Sequence, residues 1–122
     1  MTETNKIWIV DDDKSIRWVL EKALGKEELS VVSFANSEDL LAQFAIEKPD
    51  VIISDIRMPG MDGISLLEKL KQDAPELPII IMTAFSDLDR AVSAFQGGAF
   101  EYLSKPFDVD EVVSLVKRAL RQ

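Results

Sequence analysis

The chain has 122 residues, 47% of them hydrophobic, with 22 acidic against 14 basic side chains and a formal net charge of −8. That length predicts one domain that buries roughly two-thirds of its unfolded surface. It holds neither cysteine nor histidine, which excludes disulfides, thiolate nucleophiles, imidazole bases and the usual zinc and copper ligands, and leaves carboxylates, hydroxyls, lysine and hard cations. The negative charge repels phosphate backbones and anionic lipid, so direct nucleic-acid or membrane binding by this domain is not expected. Met1 to Lys6 lacks the apolar stretch of a signal peptide, and the longest apolar runs fall far short of a bilayer span. The chain reads as cytoplasmic.

In chain order, the run Ile7-Trp8-Ile9-Val10 predicts a first strand, and Ile16, Val19, Leu20, Ala23 and Leu24 a first amphipathic helix. Val31-Val32-Ser33-Phe34 predicts the second strand and Leu40, Leu41 and Phe44 its helix. Val51-Ile52-Ile53 is followed by Ile64, Leu67 and Leu70, and Ile79-Ile80-Ile81-Met82 by Leu88, Val92 and Phe95 on one helix face. The short Phe100-Glu101-Tyr102-Leu103 and a last helix with Val109, Val112, Val113, Val116 and Leu120 complete a fifth unit. The first four runs read as strands buried on both faces. Gly25, Gly97 and Gly98 can end helices, Pro49 and Pro78 precede strands, and Pro59-Gly60 and Asp62-Gly63 make turns. Strict βα alternation calls for a three-layer α/β/α sandwich around a parallel sheet.

Ligands of an open α/β sheet bind beyond the carboxyl ends of its strands, where the strand order reverses. Asp11, Asp12 and Asp13 follow strand one, Asp55 strand three, Thr83 strand four and Lys105 strand five. Strand two ends in Phe34-Ala35 and offers nothing comparable, which suits an edge position beside strand one and puts the reversal between strands one and three. Three carboxylates gathered there either take up protons or recruit a cation, and with oxygen ligands alone the natural cation is Mg²⁺. Lys105 can pair with a carboxylate or a phosphoryl oxygen, and the Thr83 hydroxyl can donate to the same oxygen. These parts match the needs of phosphoryl transfer, with Asp55, alone at the end of the central strand, as nucleophile.

Each residue taken singly also has a structural role open to it. Asp13 suits a helix cap, and capping or solvation competes evenly with metal binding for Asp11 and Asp12. Asp55 before Pro-Gly suits turn chemistry, Thr83 can simply close a strand, and Phe100 and Tyr102 suit packing against helices. Lys105 before Pro106 fits filler least, because Lys-Pro restricts the backbone and suits a cis bond in a tight turn. Joint placement at four strand ends favours the functional reading.

The pattern Val10-Asp11-Asp12-Asp13, Ser54-Asp55-Ile56-Arg57-Met58-Pro59-Gly60-Met61-Asp62-Gly63, Met82-Thr83-Ala84 and Lys105-Pro106-Phe107 resembles the receiver domain of bacterial two-component response regulators, from Lys6 to about Arg118. Ser15-Ile16-Arg17-Trp18-Val19-Leu20, Ser86-Asp87-Leu88-Asp89 and Gly98-Ala99-Phe100-Glu101-Tyr102-Leu103 are similar to the nitrogen-regulation NtrC branch. The resemblance implies a flavodoxin-like sheet of order 2-1-3-4-5. It implies that Asp55 accepts a phosphoryl group from a phosphohistidine of a sensor histidine kinase, which supplies the histidine this chain lacks. Asp11, Asp12, Asp55 and the backbone carbonyl of Arg57 would hold Mg²⁺, Thr83 and Lys105 would contact the phosphoryl oxygens, and Ala84 would leave room for it. Thr83, Tyr102 and the Leu88, Val92 and Phe95 face would form a switch across helix four, strand five and helix five. Its readout would be self-association or contact with an output ATPase domain. On this view the domain is a signalling phosphoacceptor that catalyses its own phosphorylation and slow dephosphorylation, rather than a conventional enzyme.

Phe85 stands where a histidine is more familiar in this branch, and Ser104 where proline often precedes the lysine; Arg57 and Phe85 would face the phosphoryl entrance. The whole of 1–122 reads as one receiver domain, with no phosphate-binding Gly-x-x-x-x-Gly-Lys loop or recognition helix of the sigma-54-dependent ATPase and DNA-binding domains that follow in that branch. Two other classes compete. Asp11-x-Asp13-x-Ser15 approximates the nucleophile motif of Mg²⁺-dependent haloacid-dehalogenase-type phosphohydrolases, with Asp11 as nucleophile and Asp13 as general acid. A non-phosphorylated interaction module would need an inert Asp55. A flavin carrier would share the fold but lacks a Ser/Thr/Gly-rich loop after strand one.

Overall fold

A computed structural model describes residues 4–121. Five strands, β1 (Lys6–Val10), β2 (Ser30–Phe34), β3 (Val51–Asp55), β4 (Ile79–Ala84) and β5 (Glu101–Lys105), alternate with five helices, α1 (Lys14–Gly25), α2 (Ser37–Phe44), α3 (Gly63–Asp73), α4 (Leu88–Gln96) and α5 (Val109–Leu120). One 3₁₀ turn, Phe85–Asp87, leads into α4. All strand pairs are parallel and the order is β2-β1-β3-β4-β5. The reversal between β1 and β3 is where the sequence puts it.

Because side chains alternate across a strand, the unbroken apolar runs feed two cores, one on each face of the sheet. Trp8, Val10, Ile52, Ile79 and Ile81 meet Leu40 and Phe44 of α2, Leu66, Leu67 and Leu70 of α3, and Ala91 and Ala94 of α4. Ile7, Ile9, Val51, Ile53, Ile80, Met82 and Leu103 meet Leu20 and Leu24 of α1 and Val112, Leu115, Val116 and Ala119 of α5. The result is the three-layer sandwich. Asp13, Asn36, Asp62 and Asp108 cap α1, α2, α3 and α5 by accepting first-turn amides.

Four expectations need correction. β2 is not buried on both faces: Ser30 and Val32 are exposed, because an edge strand has only one neighbour and its helices leave the flank open. Asp55, Thr83 and Lys105 do not follow their strands but are the last or penultimate residues in them, since pairing continues to the sheet edge. Phe100 precedes β5. In α4 the face on the sheet is Ala91 and Ala94; Val92 and Phe95 are 38% and 45% exposed and Leu88 half-buried. Two alanines let this short helix lie close against the sheet, which turns the larger residues onto its flank.

Candidate functional site

Asp11 follows β1 directly and stays in register with the sheet, its amide donating to the Phe34 carbonyl at 3.1 Å. Its carboxylate is fully buried and accepts from the Asp13 amide at 2.8 Å, while the Arg17 guanidinium donates to the Asp11 carbonyl oxygen at 2.7 Å. Asp13 itself accepts the amides of Ser15 and Ile16 as the α1 cap. Asp55 ends the fully buried central strand. Lys105 ends β5 and reaches across β4, and its Nζ donates to Asp11 Oδ2 at 2.9 Å and Asp55 Oδ1 at 3.0 Å. The peptide bond from Lys105 to Pro106 is cis, as its sequence suits.

Asp12 is exposed, and one carboxylate oxygen from each of Asp11, Asp12 and Asp55 lies within 4.8 Å of the others. One ammonium, bonded to two of them, therefore serves a cluster of three carboxylates. Burial pushes the Asp55 carboxyl above its ordinary 3.8, the Asp11 charge adds to that, and Lys105 offsets only part. Asp11 is raised too, by burial, against the opposing pull of the Asp13 amide and Lys105. Burial alone would lower Lys105, but the hydrogen bonds and charges of Asp11 and Asp55 outweigh it and hold the ammonium above its usual value. An all-oxygen donor set with excess negative charge and one half-open side fits a hard divalent cation.

Thr83, fully buried in β4, donates its hydroxyl to the Ala84 carbonyl at 2.9 Å, so in this state it is engaged with its own backbone. Tyr102 on β5 packs edge-on against Phe95 of α4, with ring centroids 6.4 Å apart. The Arg57 side chain turns outward to Asp87. The Phe85 side chain lies outside the described residues. Among the expected site residues the fold thus brings Asp11, Asp12, Asp55 and Lys105 together and links Tyr102 to Phe95; Thr83 is adjacent along the sheet edge but not joined to them by a hydrogen bond among the described residues.

Three features were not read from the sequence. Gly63 approaches Asp55 so closely that a Cβ there would sit 2.0 Å from the Asp55 carbonyl oxygen, and its amide donates to the Ile56 carbonyl at 2.8 Å. That closes the loop after Asp55 into a hoop; Asp62-Gly63 signalled a turn but not this contact. Arg57 grips Asp87 through two guanidinium nitrogens, Nη2 to Oδ1 at 2.8 Å. Arg90 of α4 donates to Asp62 Oδ2 at 2.8 Å.

The model of the response regulator receiver domain family matches residues 7–117. The chain belongs to that family. Within it, the similarity runs to the NtrC branch: the DNA-binding transcriptional regulator NtrC of Salmonella typhimurium is 61% identical over 93% of this chain. The solution structure of the apo receiver domain of nitrogen regulatory protein C is 60% identical, covers 96% of this chain and 94% of its own, and superimposes with a TM-score of 0.89. Its BeF3-activated form gives 58% and 0.85, covering 98% and 97%. The chain spans about a quarter of the length of the curated relatives it matches.

Proposed function

We propose that this receiver is a phosphoacceptor in which Asp55 takes a phosphoryl group from a phosphohistidine on a sensor histidine kinase. A bond forms between an Asp55 oxygen and phosphorus, the phosphorus–nitrogen bond breaks, and the imidazole leaves with its electron pair. The observation that carries this reading is the Lys105 ammonium bridging Asp11 and Asp55: it holds a positive charge where a phosphoryl oxygen would sit and fixes Asp55 at the mouth of the crevice. Asp11, Asp12, Asp55 and the Arg57 carbonyl would hold Mg²⁺, which supplies charge neutralisation for the phosphoryl oxygens. Thr83 would give up the Ala84 carbonyl for a phosphoryl oxygen, and Tyr102 would follow, repacking against Phe95, Val92 and Leu88. Existing apo and BeF3-activated structures of a 60% and 58% identical receiver support a two-state reading.

The domain, 1–122, would catalyse its own phosphorylation and slow dephosphorylation in the cytoplasm. Its readout would be self-association or contact with an output ATPase domain of a transcription activator, with no direct hold on nucleic acid or membrane. No helix among the described residues is long and apolar enough to cross a membrane. The phosphohydrolase alternative needs Asp13 as a free general acid, and that carboxylate is occupied as the α1 cap.

Intact mass after incubation with Mg²⁺ and a small phosphoramidate tests the reading. One hydroxylamine-labile phosphoryl adduct, absent in Asp55→Asn, is the expected result. Continuous phosphate release that stops in Asp11→Asn points to a hydrolase, and no adduct under any condition points to an interaction module.

A further inference from the structure

α4 is held differently from the other helices. Its N-cap residue, Asp87, makes no side-chain cap, because its carboxylate is spent on Arg57. Its buried contacts with the sheet come from Ala91 and Ala94. Asp87 and Arg90 lie one helical turn apart on one side of the helix, and both reach the loop between β3 and α3, Asp87 to Arg57 and Arg90 to Asp62. The signs alternate on each side of this seam.

We propose that these four residues form a charge register that fixes α4 along the loop, with Arg90 and Asp62 as the specificity-setting pair. A slide of one turn in one direction brings Arg90 opposite Arg57; in the other it brings Asp87 opposite Asp62. Either slide replaces two attractions with a like-charge contact. In the seated position both acids are paired: Asp62 accepts the Ser65 amide and Arg90, and Asp87 accepts two guanidinium nitrogens of Arg57. Asp87 is only 4% exposed where Arg57 covers it, while the Arg57 side chain is itself 70% exposed. Three of the four, Arg57, Asp62 and Arg90, rim an open cleft of about 400 Å³ that Asp12 also lines, which places the register beside the entrance to the acidic crevice. Any rearrangement of α4 must therefore undo the seam, and a ligand at the crevice can drive it only by favouring the undone state. The regulatory consequence rests on the phosphoacceptor reading; the register is a property of the resting chain.

Amide hydrogen exchange over 88–96, with α5 as internal control, tests it. Asp62→Asn removes the charge while an asparagine still accepts the Ser65 amide as cap, and Arg90→Gln removes the other partner. Each single variant is expected to speed α4 exchange about two- to fivefold, the range of a part-exposed ion pair, and the double variant no more than the faster single. Arg90→Glu, opposite Asp62, should speed it further, and Arg90→Lys should restore much of the protection. Unchanged α4 exchange in Arg90→Gln, or effects that multiply in the double variant, overturns the register. The same samples are incubated with phosphoramidate. Loosened α4 without any adduct on the wild type sustains the register and sinks the phosphoacceptor reading; a normal Asp55 adduct with α4 indifferent to Arg90→Gln sinks the register alone.

Discussion

Two acidic regions of this receiver, one at the strand ends and one along the loop beside α4, carry the same residue type under opposite electrostatics. Asp11 and Asp55, buried and sharing a single lysine, are raised, whereas Asp62, held by the Ser65 amide and Arg90, and Asp87, held by Arg57, are lowered. The difference is one of stoichiometry and burial. One cation among three converging carboxylates leaves unneutralised charge that a divalent ion or a proton must absorb, while one guanidinium per carboxylate leaves nothing to recruit. The crowded region is therefore suited to recruit a cation and the paired region to hold a shape.

The strongest way to break this contrast is to remove the one cation of the crowded region. Lys105→Met is expected to destabilise the fold by about 3 kcal/mol, because two buried carboxylates lose their partner, and millimolar Mg²⁺ should recover part of that loss in a thermal melt. Next in size, Asp55→Asn should stabilise the metal-free domain by about 1 kcal/mol, since it relieves repulsion that burial amplifies; a lower Tm than wild type would contradict the assignment. By contrast, Arg57→Ala should lower the Tm only slightly, as it removes a partner that is itself 70% exposed.

Titration sharpens the contrast further. Asp11 and Asp55 hold protons more tightly folded than unfolded, so from pH 3.8 up to their higher folded values the native state carries more protons and stability falls as pH rises. Asp62 and Asp87 do the reverse: their contribution is full above 3.8 and is lost as pH falls through their lower folded values. Melts across acidic pH should therefore show Asp55→Asn flattening the limb above 3.8 and Asp62→Asn the limb below it. The smallest effect is Arg90→Gln, expected to cost about 0.5 kcal/mol and to shrink with added salt.

Much of this was legible because topology does the placing. β-runs of Ile and Val with intervening amphipathic stretches dictate a parallel sheet, and a parallel sheet delivers every strand's carboxyl end to one edge, so Asp11, just past β1, and Asp55 and Lys105, last in β3 and β5, converge without any knowledge of side-chain geometry. Periodicity gave α4 an apolar stripe but not which side of it faces in; on a nine-residue helix that was decided by the small size of Ala91 and Ala94, not by the hydrophobicity of Val92 and Phe95. The pairings of Arg57 with Asp87 and Asp62 with Arg90 depend on the path of a loop, and that path depends on how closely the Gly63 backbone approaches Asp55. Spacing alone carries no record of such a contact.

The two alanines under α4 also have a thermodynamic consequence. A helix that buries large side chains, as α5 does with Val112, Leu115 and Val116, changes hydration when it moves and so changes heat capacity. Of its own side chains α4 fully buries Ala91 and Ala94, so a slide or rotation that keeps it seated on the sheet should carry a small heat-capacity change and an equilibrium that drifts little between cold and warm conditions. A signal read through this helix would keep nearly the same set point across the temperatures at which the domain stays folded.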